Sequence, residues 1–182
     1  VTVFERGTAG AGTSTTSYAW INSNGKSPNS YHRLNAEAID EHRKLQHHSP
    51  TEGRWLEETG TYEWAIDPQG EQQLLDRISR LADYHYPLHQ VTAAEIKKRI
   101  PELQIPPGAG SLWYFPQECL LNPVIYLAAQ LAVLREQGAE IITRCEVVDI
   151  HEDAGGVTLQ LSDGRKWLGD EVIIATGRWS QQ

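Results

Sequence analysis

The sequence predicts a mixed α/β fold, in which a parallel sheet carries an inserted segment of α+β structure, and three stretches support this prediction. Residues 1–4 are a run of β-formers that ends at Glu5. Residues 121–141, LNPVIYLAAQLAVLREQGAEI, are typical of a helix followed directly by a strand. Residues 172–175 form a continuous apolar run, as in strands that are buried on both faces. Helices that lead straight into strands build parallel sheets, so these stretches frame an α/β unit around an insert.

The opening strand is interpreted as the second strand of a nucleotide-binding sheet, not the first. A first strand runs into a tight glycine turn and at once into a helix whose N-terminus faces a pyrophosphate. Gly10 and Gly12 copy part of that spacing, but a third glycine is missing and residues 17–28 show turn chemistry without a helical period. Glu5 ends its strand where a second-strand carboxylate accepts hydrogen bonds from ribose hydroxyls. The alternative is a surface glutamate at the end of an ordinary strand.

This interpretation makes a prediction about the sheet. In a doubly wound sheet the strand order is 3-2-1-4, so residues 1–5 should pair in parallel with residues 140–143. Residues 172–176 should run parallel to residues 1–5 with one strand's width between them. This gap between the two strands would be filled by another chain or by further residues of the same protein, or it would be closed by direct pairing of the two strands.

Three helices and a strand are predicted between the outer stretches. Residues 29–50 form a helix that Pro50 stops, and residues 70–86 form a second helix. Residues 92–100 form a third, because Thr92 and Glu95 have capping-box spacing and Pro101 follows. Residues 111–115, SLWYF, are a strand. The apolar stripes are assigned to Leu34, Ala38 and Leu45 in the first helix and to Leu74, Ile78 and Leu81 in the second.

The C-terminal third combines one long helix with a small β-meander. Asn122 is the expected N-cap of the helix, Pro123 fits its first turn and Gly138 fits its C-terminal end. Residues 146–169 alternate apolar and polar positions and turn at glycines, as antiparallel strands do. The apolar stripe of the helix is assigned to Val124, Leu127, Ala128, Leu131 and Leu134.

Composition excludes several classes of function. The 182 residues include 16 basic and 24 acidic side chains, and the net charge of −8 argues against a nucleic-acid or anionic-membrane surface. No apolar run approaches the roughly 20 residues of a membrane helix, and no signal peptide is visible. Cys119 and Cys145 lie far apart without a CxxC motif, which favours a reducing compartment and a cytoplasmic location over a disulfide. The absence of methionine and the start on a strand residue predict that the chain is a fragment.

Other constellations are weak. His85 and His89 have i,i+4 spacing, but Pro87 between them breaks a helix, and no HExxH motif occurs, so no metal site is predicted. The aromatic residues of the insert are expected to pack in the core, since the charge is wrong for a nucleic-acid stacking platform.

In order and spacing, these segments resemble the amine-oxidising flavoenzymes that include D-amino-acid oxidase, glycine oxidase and sarcosine oxidase. The most specific parts are the NP helix followed by GAEI and the closing VIIATGRWS. The resemblance covers essentially the whole chain and implies a partial Rossmann-like FAD-binding fold with the start of an antiparallel-sheet substrate domain. It assigns residues 1–50 and 120–182 to the FAD-binding domain and residues 51–119 to the substrate domain. The family's first strand with its GxGxxG turn and the family's C-terminal part are absent from the sequence.

The resemblance also implies an FAD site. Glu5 would bind the adenosine ribose with Arg6 beside it, and three hydroxyl residues would surround the pyrophosphate. The backbone of Val147 would bind the adenine, and Gly177 would let the backbone approach the cofactor. The alternatives are plain loop residues, a core valine and a turn glycine. The pyrophosphate residues are Thr13, Ser14 and Ser17.

For activity, the resemblance implies oxidation of the C–N bond of an amino acid or secondary amine, with hydride transfer to the flavin and reoxidation by oxygen. Such a protein would take a small amine or amino acid as its partner. The sequence identifies no catalytic residue and no oligomeric state. One alternative is a flavin dehydrogenase of a hydroxy acid or polyol phosphate. Another is a catalytically inactive fragment that does not hold FAD alone.

Overall fold

The computed structural model describes residues 1–49 and 52–180, and the chain divides into two compact units. The first comprises Val1–Thr16 and the chain from Gln130 onward, and the second comprises Ser17–Ala129. The predicted assignment of residues 1–50 and 120–182 to a cofactor domain and of residues 51–119 to a substrate domain concerns function and stays a prediction. In the described residues no helix combines the length and the apolar character needed to cross a membrane.

The strands and helices follow in chain order. The strands are β1 (Thr2–Glu5), β2 (Trp20–Ile21), β3 (Leu56–Glu57), β4 (Thr61–Glu63), β5 (His89–Val91), β6 (Leu112–Phe115), β7 (Cys119–Leu121), β8 (Glu140–Thr143), β9 (Val147–Asp153), β10 (Gly156–Leu161) and β11 (Lys166–Gly169). The helices are α1 (Asn29–His47), α2 (Pro68–Asp83), α3 (Ala93–Arg99) and α4 (Pro123–Glu136), with 3-10 turns at Thr13–Thr15 and Gly177–Trp179.

The first unit contains the predicted parallel pair. β1 pairs in parallel with β8, and Thr2 lies opposite Glu140 while Glu5 lies opposite Thr143. This confirms the pairing expected for a second and a third strand of a doubly wound sheet. β1 continues into a loop with a single 3-10 turn and not into an α-helix, which also agrees with the second-strand interpretation.

The predicted meander is confirmed as a three-stranded antiparallel sheet. β10 lies between β9 and β11, and alternate residues of β10 are buried because one face of the sheet is covered. Phe4 of β1 packs against this face, with its ring 5.4 Å from that of Trp167. The buried residues of this core are Cys145, Val157, Leu159 and Leu161.

The strand predicted at residues 172–175 is wrong, since residues 171–176 have no regular secondary structure. Their apolar side chains are exposed, and Ile173 keeps 89% of its surface accessible. A strand needs a hydrogen-bonded neighbour, and none pairs with this stretch among the described residues. The expected parallel arrangement of residues 172–176 with residues 1–5 is therefore not formed.

The second unit contains two small antiparallel sheets. The same two chain segments pass through both sheets, and they bend between one sheet and the other. β7 lies between β2 and β3, and β6 lies between β4 and β5. β3 and β4 follow each other along the chain, as do β6 and β7, and the two ladders are offset by one residue. The offset falls where Gly60 donates its N–H to the carbonyl of Glu118 at 2.9 Å, so Glu118 occupies the kink between the two sheets.

Three helices begin in the second unit at a side-chain cap, and the caps of α3 and α4 were predicted from the sequence. The Asp67 side chain caps α2, and Thr92 and Glu95 form the predicted capping box of α3. Asn122 caps α4 by accepting from the N–H groups of Val124 and Ile125 at 3.1 and 3.2 Å. These local patterns are therefore confirmed. α1 ends at His47, and the predicted stop at Pro50 lies outside the described residues.

The apolar stripe of α2 is confirmed, whereas that of α1 is wrong. Leu34 and Leu45 are 64% and 42% exposed, and α1 buries His32 and Ile39 instead. His32 can be buried because its ring nitrogen Nδ1 lies 2.8 Å from the Ser23 hydroxyl, which satisfies a polar atom that the apolar pattern ignores. The buried face of α4 also differs from its predicted apolar stripe. The helix buries Ala129, whereas Val124 of the predicted stripe is 59% exposed.

Candidate functional site

Glu5 lies at the C-terminal end of β1, where a parallel strand presents its last side chain to a ligand. One carboxylate oxygen accepts the N–H of Gly7 at 2.6 Å. The other has no hydrogen-bond partner among the described residues. The backbone here is fixed by the Glu5 carbonyl, which accepts from the N–H of Cys145 at 3.0 Å. The half-buried carboxylate thus has one oriented oxygen and one free acceptor.

Arg6 connects three parts of the first unit. Its guanidinium lies 3.8 Å from the carboxylate of Glu146, directly before β9, and 5.0 Å from the centre of the Trp179 ring. Trp179 belongs to the 3-10 turn that begins at Gly177. Gly177 has φ +59°, a left-handed conformation that favours glycine. The structure thereby places Arg6, which follows Glu5 in the chain, against the turn that begins at Gly177.

Val147 begins β9 and lies opposite Leu161 of β10. It is half-buried, and its side chain packs against the core formed around Cys145. Glu146, whose carboxylate pairs with Arg6, directly precedes Val147 in the chain. Core packing and a backbone role toward a ligand are compatible at this position.

The predicted hydroxyl residues divide between the two units. Thr13 and Ser14 lie on an exposed 3-10 turn of the first unit, and their hydroxyls have no partner in the part of the chain that the structure describes. Ser17 belongs to the second unit, where its hydroxyl accepts the N–H of Ala19 at 2.9 Å. Two exposed hydroxyls beside the backbone N–H groups of a turn can serve an anionic group.

A cavity of about 500 Å³ lies within the second unit. Much of its wall is formed by residues 17–26, called here the wall segment. Side chains of both charge signs line the cavity, namely Lys26, Glu63 and Arg77. Glu63 accepts a hydrogen bond from Arg77 and another from the Asn24 amide, the latter at 3.3 Å. The cavity is lined by Ser17, Tyr18, Ala19, Trp20, Asn22, Asn24, Gly25, Lys26, Glu63 and Arg77.

A buried carboxylate lies behind the wall segment. Glu118 is 0% exposed and accepts hydrogen bonds from the indole N–H of Trp20 at 3.2 Å and the backbone N–H of Asn24 at 3.2 Å. Burial raises the pKa of Glu118, and the hydrogen bonds it accepts oppose that rise. The Tyr86 hydroxyl donates to it at 3.4 Å, and burial, with the charge of Glu118, raises the pKa of Tyr86.

The family model for FAD dependent oxidoreductases matches residues 1–182. The chain belongs to this family. The family is FAD-dependent, which agrees with the nucleotide site expected at the end of β1. Among the described residues, no group of three or more potential metal-ligating side chains is suited to a metal ion.

Individual relatives within the FAD-dependent oxidoreductases are distant. N-methyl-L-tryptophan oxidase of Citrobacter koseri is 28% identical over 94 residues, which are 52% of this chain and 25% of that protein. Glycine oxidase from Geobacillus kaustophilus has a TM-score of 0.87 at 22% identity, covering 99% of this chain and 49% of that one. The L-alpha-glycerophosphate oxidase of Mycoplasma pneumoniae, solved with FAD bound, has a TM-score of 0.71 at 17% identity, covering 90% and 43%. The chain thus spans about half the length of the glycine oxidase.

The residues present at the end of β1 fit the cofactor of this family. The free carboxylate oxygen of Glu5 is an acceptor for a ribose hydroxyl, and the Arg6 guanidinium adds positive charge beside it. The hydroxyls of Thr13 and Ser14 are donors suited to phosphate oxygens. Donors and acceptors therefore occur in the types that a dinucleotide requires.

Apart from Ser17, sequence reasoning missed the residues that line the cavity of the second unit, and it missed Glu118 behind them. Glu118 carries a visible signal, because it is the one charged residue in the apolar run LWYFPQECLL. A charge in such a run is expensive to bury, so it points to a specific polar environment. Its partner Trp20 lies 98 positions earlier in the sequence, and no local pattern predicts that contact.

Proposed function

We propose that the protein containing this chain oxidises the C–N bond of an amino acid or secondary amine. The observation that carries the flavin-binding part of the proposal is the Glu5 carboxylate, which ends a strand of a parallel pair and keeps a free acceptor oxygen. The family match and the names of the relatives, an N-methyl-L-tryptophan oxidase and a glycine oxidase, support an amine as the substrate. FAD, when bound, supplies the redox chemistry by accepting a hydride and returning electrons to oxygen.

The proposed role of the residues of this chain is to bind the cofactor and the substrate and to orient them. Glu5 would hold the ribose of the adenosine, and Arg6 would place a positive charge beside it. Thr13, Ser14 and Ser17 would donate hydrogen bonds to the pyrophosphate. The backbone of Val147 would bind the adenine, and Gly177 would let the backbone approach the cofactor.

The cavity of the second unit is the proposed place for the charged groups of the substrate. Lys26 carries a positive charge that has no carboxylate partner among the described residues, although its ammonium lies 5.9 Å from the centre of the Tyr31 ring. The Arg77 guanidinium also lines the cavity, where it pairs with Glu63. These donors suit a carboxylate, so the cavity favours an amino acid over a simple amine.

The proposed location is the cytoplasm. Both cysteines are free and buried, a state that a reducing compartment maintains.

Oxygen consumption tests the proposed reaction. The natural protein that contains this chain is purified and supplied with glycine, sarcosine, L-proline and N-methyl-L-tryptophan, and hydrogen peroxide is assayed in parallel. Oxygen uptake matched by peroxide with at least one of these amines is expected. If none of them is oxidised while the protein carries flavin, the substrate class is wrong.

A second candidate is oxidation of a hydroxy acid or polyol phosphate. The similarity to L-alpha-glycerophosphate oxidase favours it, because the same cofactor frame can serve a C–O bond. Glycerol 3-phosphate and lactate, each tested with oxygen and with an artificial electron acceptor, distinguish it from the amine reaction. A protein without a flavin spectrum would instead indicate the inactive alternative.

A further inference from the structure

Glu118 lies at the kink between the two sheets of the second unit, between β6 and β7. Its backbone carbonyl accepts from Gly60, and its side chain points into the protein, where it is fully buried. In the described residues no lysine, arginine or histidine forms an ion pair with it. An ionised carboxylate in such a place reduces stability unless hydrogen bonds replace its water.

The hydrogen bonds that replace this water come mainly from the wall segment. Oε2 accepts from the Trp20 indole and Oε1 accepts from the Asn24 backbone N–H, so the two oxygens hold the two ends of residues 20–24. The Trp20 indole also donates to the Thr61 hydroxyl of β4 at 3.0 Å. The segment is thereby fixed to the sheet behind it.

The contacts extend from Glu118 to the charged wall of the cavity. Asn24, whose backbone binds Glu118, uses its side-chain amide to donate to Glu63. Glu63 in turn pairs with Arg77 of α2. One buried carboxylate is therefore connected, through a single residue, to the ion pair that lines the cavity.

The chemistry of the partners selects a carboxylate. An indole N–H and a backbone N–H can only donate, and each binds a different oxygen of Glu118. A glutamine has one oxygen and one NH₂ group, so it would leave a donor facing a donor. Only a group with two acceptor oxygens satisfies both ends of residues 20–24.

We propose that Glu118 is a positioning residue for the cavity, because it fixes the wall segment and, through Asn24, the orientation of Glu63 and Arg77. A buried carboxyl group at this position is unfavourable for stability, and the structure that it maintains is the cavity wall. The inference depends on the proposed function only for the identity of the ligand.

Hydrogen–deuterium exchange measured by mass spectrometry tests the proposal without any ligand. The natural protein is compared with its Glu118→Gln variant, and peptides that cover residues 17–26 are followed. We expect exchange in these peptides to be about tenfold faster in the variant. Peptides from α2, in the same unit, should exchange as in the unmodified protein.

Two further variants control the measurement. Glu57→Gln removes an exposed carboxylate from β3, which pairs with the same β7 strand, and should leave exchange in the wall segment unchanged. Trp20→Phe keeps an aromatic ring, removes the indole donor to Glu118 and Thr61, and should accelerate exchange in the same direction as Glu118→Gln, so the proposal stays testable if the latter variant fails to fold.

Unchanged exchange of residues 17–26 in either test variant would overturn the proposal. Equal acceleration in α2 and in the wall segment would also overturn it, because that pattern marks a general structural role. Absence of amine oxidation would refute the proposed function and leave this result intact.

Discussion

At the residue scale, two glutamates of this chain have opposite environments. Glu5 is half-buried at the end of β1 with a free acceptor oxygen, whereas Glu118 is fully buried with both oxygens in use. The first is suited to bind a ligand and the second to hold protein structure. Each environment leads to a separate prediction.

Replacing Glu5 should weaken cofactor binding. In the natural protein, Glu5→Ala should lower FAD affinity by about 1–3 kcal/mol, the usual range for a lost hydrogen bond to a charged group. Glu5→Gln should cost less, because it keeps one acceptor. Flavin fluorescence during reconstitution of the apoprotein measures the affinity. Glu140→Gln, on the partner strand β8, is the control, and an unchanged affinity in Glu5→Ala would identify Glu5 as a strand-end residue only.

Glu118 should make stability fall as the pH rises. Because its pKa is raised in the folded protein, the folded state binds the proton more tightly than the unfolded state does. Its contribution is therefore fully present below the ordinary glutamate pKa and is lost as the pH rises through the raised value. The pKa values of its titratable neighbours Tyr86 and Cys119 are also raised, so these two groups stay neutral in this range.

Urea unfolding across acid to neutral pH measures this effect. The stability of Glu118→Gln relative to the unmodified protein should rise steadily with pH, since the variant has no group that titrates at this position. A pH-independent difference between the two proteins would contradict the assignment of a raised pKa to Glu118.

At the element scale, local sequence patterns predicted the helices, whereas the short strands and the buried face of α1 depend on contacts with distant segments. The caps at Thr92 and Asn122 and the apolar stripe of α2 depend on neighbouring residues, so the sequence contains them. The strands β2, β3, β4, β5 and β7 have two or three residues each and exist only through pairing with distant segments. The buried face of α1 was missed because Ser23 satisfies His32 from outside the helix.

Gly60 tests how the kink between the sheets is built. Its φ is +66°, and a Cβ there would overlap the Tyr114 ring. Gly60→Ala should therefore destabilise the protein by about 2–4 kcal/mol, through both backbone strain and overlap. Gly108→Ala is the matched control, because Gly108 has φ +86° with nothing within 4 Å of the added Cβ. Equal losses of unfolding free energy in the two variants would show that Tyr114 does not restrict this position.

At the scale of the whole molecule, the candidate site was predictable in part. The parallel pairing of β1 with β8, which places Glu5 at a strand end, was predicted and is present, whereas the assignment of Glu5, Arg6 and Gly177 to one cofactor site stays a prediction. The cavity and the partners of Glu118 were not predictable, because contacts such as Trp20–Glu118 join residues 98 positions apart. The likeness to solved structures covers nearly the whole chain and agrees with the fold, while the proposed reaction rests on the family match and the names of the relatives.

The most direct test of the central claim is anaerobic reduction of the flavin in the natural protein. The purified protein should show the visible absorbance of bound flavin. Addition of the amine found active in the oxygen assay should bleach this absorbance, and admission of oxygen should restore it with formation of hydrogen peroxide. A protein that purifies with flavin but is bleached by glycerol 3-phosphate, and by none of the amines, would contradict the account.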